Sequence, residues 1–230
     1  MSTTAHPLTL NPISPPPFPR KTLAELLREL GDIPAHRTRL YPYPGTATEA
    51  DAVRVTNTER PCELVNGTLV EKAMGAPESF LASLLIQFIG PFVRLNKLGM
   101  TTAPDGMFRM IRGNVREPDV SFTRKGRLAH PVPQVGGWCP DLCVEVLSPD
   151  NSPTELATKR AEYFASGCQL VWEVDLRSRT VSVFTDPTTS TRLTEADILD
   201  GGAVLPGFTL SLAELFAAFD EGTQPTQATP

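Results

Sequence analysis

Apolar residues recur along this chain at two different periods, and the switches between them mark out its elements. Leu23, Leu26, Leu27 and Leu30 share one helical face, so residues 21–30 read as a short amphipathic helix. Residues 31–49 show no period and read as irregular. Residues 62–65 and 68–72 flank Asn66-Gly67, which supplies the positive φ angles of a type I′ turn, and predict a β-hairpin. A long helix is expected from about Pro77, with Leu81, Leu84, Leu85, Phe88 and Ile89 at helical spacing and Gly90-Pro91 kinking or ending it. Residues 100–103 and 107–111 are candidate strands joined by a turn at Asp105-Gly106. Residues 117–123 and 141–147 are two more, separated by a loop rich in proline and glycine. The best-signalled helix follows them: Ser152 and Glu155 as a capping box, Pro153 at its first position, Gly167 as its stop. Residues 169–175 and 180–184 predict a second hairpin around Arg177-Ser178, and residues 212–219 a short closing helix.

That order of elements predicts an α/β fold, a mixed central β-sheet flanked by helices, formed by one domain over residues 20–220. Residues 1–19 are proline-rich and polar and read as a disordered tail, because such sequence buries too little apolar surface to offset ordering. Residues 221–230 read as a flexible tail. The length of 230 residues suffices for a sizeable core, and 40% hydrophobic with 20% charged residues is ordinary for a soluble globular chain. A net charge of −5 argues mildly against tight non-specific DNA binding but leaves room for a local basic patch. The pair Cys139 and Cys143 has no second pair at zinc-ribbon spacing, so the four cysteines read as small apolar residues of a reduced protein. No signal-peptide pattern is visible, and the apolar run at 81–93 is too short to span a bilayer. The chain therefore reads as cytoplasmic, with no membrane partner.

Few side chains suggest chemistry. Asp119 opens a strand after Pro118; alone it would be a turn-former. Glu145 lies inside an otherwise apolar strand, and a buried carboxylate needs a cation, a metal or several donors. An ion pair and a functional site weigh equally for it. Lys159 falls at the edge of the apolar face marked by Leu156, Tyr163 and Phe164, and Arg160 falls within it. Periodicity does not choose between the two, and a solvated cation is the ordinary reading of both. Glu78, in the first turn of the long helix, is favoured there by the helix dipole. Glu63 and Glu71 flank the Asn-Gly hairpin, where surface acids are usual. His6, His36 and His130 form no triad or zinc cluster, and no phosphate-binding glycine loop is present.

Taken in order, Cys62-Glu-Leu-Val-Asn-Gly-Thr-Leu-Val, Arg116-Glu-Pro-Asp-Val-Ser-Phe, Pro140-Asp-Leu-Cys-Val-Glu-Val-Leu-Ser-Pro, Lys159-Arg-Ala-Glu-Tyr-Phe with Gly167, Val171-Trp-Glu-Val-Asp and Leu205-Pro-Gly-Phe resemble the Uma-type putative restriction endonuclease family of the PD-(D/E)XK nuclease superfamily. The resemblance spans roughly residues 61–219. Each piece is weak alone, and the ordered set is specific. It implies a restriction-endonuclease-like core and a site for Mg²⁺, with Mn²⁺ as an alternative, held by Asp119 and Glu145 as hard oxygen ligands. The superfamily's commonest lysine position, two residues after the strand acid, is Leu147 here. The family pattern instead gives that role to Lys159, from the next helix, orienting water and stabilising developing charge. Glu63 and Glu78 match places where the fold can add a further acid near the metal. Many family members carry a histidine near the start of the long helix, where this chain has Glu78-Ser79-Phe80.

Three functions compete on this basis. The first is a Mg²⁺-dependent DNA endonuclease, with DNA as substrate and a homodimer as the usual way to cut two strands. The second is an inactive nuclease-fold module that binds DNA or a protein partner. The third is a structural domain in which Glu145 merely pairs with Lys159 or Arg160.

Overall fold

The structure, a computed structural model, describes residues 21–223. The expected disordered tail at 1–19 lies outside them. So does most of the expected C-terminal tail; its first three residues, 221–223, continue a helix.

A small α1 (Leu23–Glu29) begins at Thr22, whose side chain accepts from Glu25 N while Glu25 returns a bond to Thr22 N, a complete capping box. Next comes α2 (Glu49–Thr58), within a stretch to which no element was assigned from sequence. Only Ala52 and Val55 of it are buried, too few to show a period, whereas the Thr48 and Asp51 capping box was its visible signal. The predicted hairpin is β1 (Cys62–Val65) and β2 (Thr68–Glu71), with Asn66 at φ 48° and Gly67 at φ 72° in the turn.

The long helix α3 (Ala76–Leu95) does not end at Gly90-Pro91. It runs straight through, because Leu81, Leu85, Ile89 and Val93 on either side bury one continuous stripe, while Pro91 faces solvent. Twenty residues make it long and apolar enough to cross a membrane, contrary to the shorter run read from sequence. Its buried stripe instead packs on the sheet below.

Strands β3 (Gly99–Thr102) and β4 (Phe108–Arg109) enter different sheets rather than pairing across their turn. Then follow β5 (Val115–Arg116), β6 (Val120–Arg124), β7 (Leu142–Val146), α4 (Pro153–Ala165), β8 (Leu170–Asp175) and β9 (Thr180–Phe184). Three short strands without clear alternation escaped the sequence reading: β10 (Ser190–Thr194), β11 (Ile198–Asp200) and β12 (Thr209–Ser211). The last helix is α5 (Leu212–Thr223).

The main sheet has six strands in the order β10-β9-β8-β7-β6-β3, and the smaller one four, β2-β1-β5-β4; β11 and β12 pair by themselves. Within the main sheet only β7 and β8 are parallel, joined by α4 as a crossover. Strand alternation then divides β7. Leu142, Val144 and Val146 join the core under α3 and α5, whereas Cys143 packs on the opposite side with Tyr163 of α4, and Glu145 shares that side.

Residues 117–119, Glu-Pro-Asp, carry the chain directly from β5 in the small sheet to β6 in the main one. The two sheets meet at this crossing.

Candidate active site

Four elements deliver charged side chains to the junction between the sheets. Asp119 stands at the crossing itself. Its backbone N–H donates to Val144 O (3.0 Å), and its Oδ2 accepts from Val146 N (2.8 Å), so β7 fixes both the main chain and one carboxylate oxygen. Its Oδ1 lies 2.9 Å from Lys72 Nζ, but without the alignment of a hydrogen bond, and is otherwise unpartnered. Lys72, just beyond β2, donates to Glu117 O (2.6 Å) and Pro104 O (2.9 Å).

Glu145 projects from β7 towards α4. Lys159 Nζ donates to its Oε2 (2.6 Å) and the Tyr163 hydroxyl to its Oε1 (2.5 Å). The donors lie four residues apart on α4 and so share a face. Lys159 also reaches Glu63 Oε1 on β1 (3.1 Å). Arg116 on β5 closes the network, with Glu63 Oε2 at 2.8 Å and Glu162 Oε2 at 2.6 Å. Arg160 turns instead to Glu173 on β8, the residue in register with Glu145. Successive residues of α4 thus serve successive strands.

Every member is buried: Asp119 3%, Glu145 6%, Lys159 4% and Glu63 1% exposed. Burial pushes the Glu145 carboxyl up to about 7; Asp119 and Glu63 add to this, and Lys159 opposes it. Burial likewise pushes Glu117 up to about 7, against the pull of Lys72. For Glu63 burial is outweighed by the charges of Lys159 and Arg116, which hold it well below the usual carboxylate range. Burial would lower Lys159, but Glu145 and Glu63 hold it well above its ordinary value, so its charge is kept.

Five carboxylates (Glu63, Glu117, Asp119, Glu145, Glu162) therefore meet three cations (Lys72, Arg116, Lys159), an excess of two negative charges when all are ionised. Two buried carboxylate oxygens, Asp119 Oδ1 and Glu117 Oε2, lack a hydrogen-bond donor. Hard oxygen donors, left short of positive charge by two units, fit a divalent cation of the Mg²⁺ type.

Of the residues singled out from sequence, Asp119, Glu145, Lys159 and Glu63 come together. Glu78 does not join them: its carboxylate accepts from Gly75 N (2.9 Å) and caps α3. Leu147 is half-buried beyond the end of β7. Among the described residues no histidine enters the cluster; His36 pairs with Asp150 at the surface. Lys72, Arg116, Glu117, Glu162 and Tyr163 were not foreseen. Tyr163 had a usable signal, being one helical turn after Lys159, whereas Lys72 reaches Asp119 only through the pairing of the sheets.

Residues 49–213 match the Uma2 family, described as "Putative restriction endonuclease". Comparison with curated proteins finds no match. A solved structure described as a "putative nuclease belonging to DUF820", from Anabaena variabilis, superposes with a TM-score of 0.64 at 20% identity, covering 70% of this chain and 93% of that one. At that identity the likeness concerns the fold.

Proposed function

We propose that this chain, which belongs to the Uma2 family, is a metal-dependent DNA endonuclease whose metal ligands are Asp119 and Glu145. The observation that carries the reading is a buried cluster in which two carboxylate oxygens, Asp119 Oδ1 and Glu117 Oε2, lack a donor, and in which acids outnumber cations by two when all are ionised. A bound Mg²⁺ would supply an activated water and neutralise charge on the scissile phosphate. The chain's own residues do the rest. The Val146 amide and the Tyr163 hydroxyl fix the orientations of the two carboxylates. Lys159, held between Glu145 and Glu63, keeps a full positive charge in a poorly hydrated place, where it counters the charge that develops as the phosphodiester bond breaks. Glu63 and Arg116 position that lysine and carry no chemistry themselves.

One observation favours a second reading, a nuclease-fold module that binds without cutting: each proposed ligand is ion-paired with a lysine, and Leu147 occupies the commonest lysine position. Plasmid DNA incubated with Mg²⁺ or Mn²⁺ separates the two. Metal-dependent nicking by the wild type, lost in Asp119→Ala and Glu145→Ala, is the expected result. DNA retention without cleavage, unchanged in both variants, would establish the second.

A further inference from the structure

Behind the acid site, on the α4 side of the main sheet, three cysteines converge. Cys139 precedes β7, Cys143 lies on β7, and Cys168 follows the Gly167 turn that ends α4. Their sulfur atoms all lie within 4.8 Å of one another, and all three thiols are free and buried. Cys62, the fourth cysteine, belongs to a separate apolar cluster.

We propose that Cys139, Cys143 and Cys168 form a three-sulfur site for a soft monovalent d¹⁰ cation, of which Cu(I) is the biological example. Three sulfurs at this spacing need only small rotations about Cα–Cβ to reach one ion. Sulfur donors select soft metals over Mg²⁺ or Ca²⁺. The number of donors then discriminates among soft metals. Zinc sites are almost always four-coordinate, and among the described residues no histidine or carboxylate joins these three sulfurs within the cluster. Beyond the sulfurs the walls are Phe108, Met110, Val171 and Phe184, with the carbonyls of Tyr163, Asp141 and Leu170 near the thiols. Cu(I), a soft d¹⁰ ion, is content with three sulfur donors, so the site needs no fourth ligand to hold it. Entry is through the turn at Cys168, whose neighbours Gly167 and Gln169 are both exposed.

The site is independent of any Mg²⁺ reading of the acids, and its test uses binding alone. Reduced full-length protein is titrated anaerobically with Cu(I) against a chromogenic Cu(I) chelator. The expected result is one Cu(I) per chain, with X-ray absorption at the copper edge showing three sulfur neighbours. Cys143→Ala and Cys168→Ala should weaken retention at least tenfold, and Cys62→Ala should leave it unchanged. Should the cluster variants fail to fold, the stoichiometry and sulfur count of the wild type decide alone. The proposal is overturned if the wild type yields its Cu(I) to the chelator, if Cys62→Ala loses as much as the cluster variants, or if Zn(II) binds as tightly with a fourth ligand. It is equally overturned if two of the three thiols are consumed in a disulfide and the reduced protein takes up no metal.

Discussion

At the scale of residues, the most instructive pair is Lys159 and Arg160. Helical periodicity could not choose between them, because both serve buried acids, one on β7 and one on β8. Their energetic roles should nonetheless differ. Lys159→Ala leaves Glu145 with no cation, only the Tyr163 hydroxyl, and takes from Glu63 one of its two, in a site that water barely reaches; a loss of about 3–5 kcal/mol is expected in urea denaturation. Arg160→Ala breaks a pair nearer the surface, with side chains 14% and 10% exposed, and should cost less, about 1–3 kcal/mol. Equal losses would show that Lys159 is not the keystone of the network. The acid Glu145 could be suspected from sequence because a carboxylate inside an apolar strand demands a partner. Lys72 could not be, since its distance to Asp119 is set by two sheets and not by spacing along the chain.

At the scale of elements, α4 shows how a capping signal can be right in place and wrong in detail. Ser152 Oγ accepts from Glu155 N (2.9 Å), as a cap should. The Glu155 carboxylate does not return the bond. It takes both arms of Arg37 at 2.8 and 2.9 Å, tying the helix start to the loop after α1. Burial would raise Glu155, but the hydrogen bonds from Arg37, the charges of Lys159 and Arg37 and a hydrogen bond from Asn151 together outweigh it and lower the carboxyl below its ordinary value of 4.5. A group so lowered stabilises the fold above its unfolded value and loses that contribution as pH falls through its folded one. The difference in Tm between wild type and Glu155→Gln should therefore be full at pH 7 and shrink below pH 4.5. A difference that stays constant down to pH 3 would show that the ion pair contributes nothing. The strongly periodic elements, the hairpins and α3, were legible; α2 was not, because it buries two residues only, and neither was the continuation of α3 past Pro91, because tertiary burial overrides a local breaker.

At the scale of the molecule, the fold brings the acids together by crossing from one sheet to the other at Glu-Pro-Asp, an event that no local period announces. A site so assembled reports on the integrity of both sheets at once. If its two surplus charges are met by a divalent ion, that ion binds only the folded chain and must stabilise it. At a hundredfold excess of Mg²⁺ or Mn²⁺ over Kd the gain is about 2.7 kcal/mol, and for a domain of this size roughly 5–10 °C in Tm. Asp119→Ala should abolish the shift, and matched NaCl should not produce it; a wild type indifferent to both ions would remove the metal from the proposal. Lys72 adds a consequence of its own. Its ammonium sits among three oxygens, those of Asp119, Glu117 and Pro104, much as a small hydrated ion would. The lysine is thus a resident placeholder. If a metal ion takes Asp119 Oδ1, it would enter by evicting that ammonium, so that filling the site would be an exchange of one cation for another.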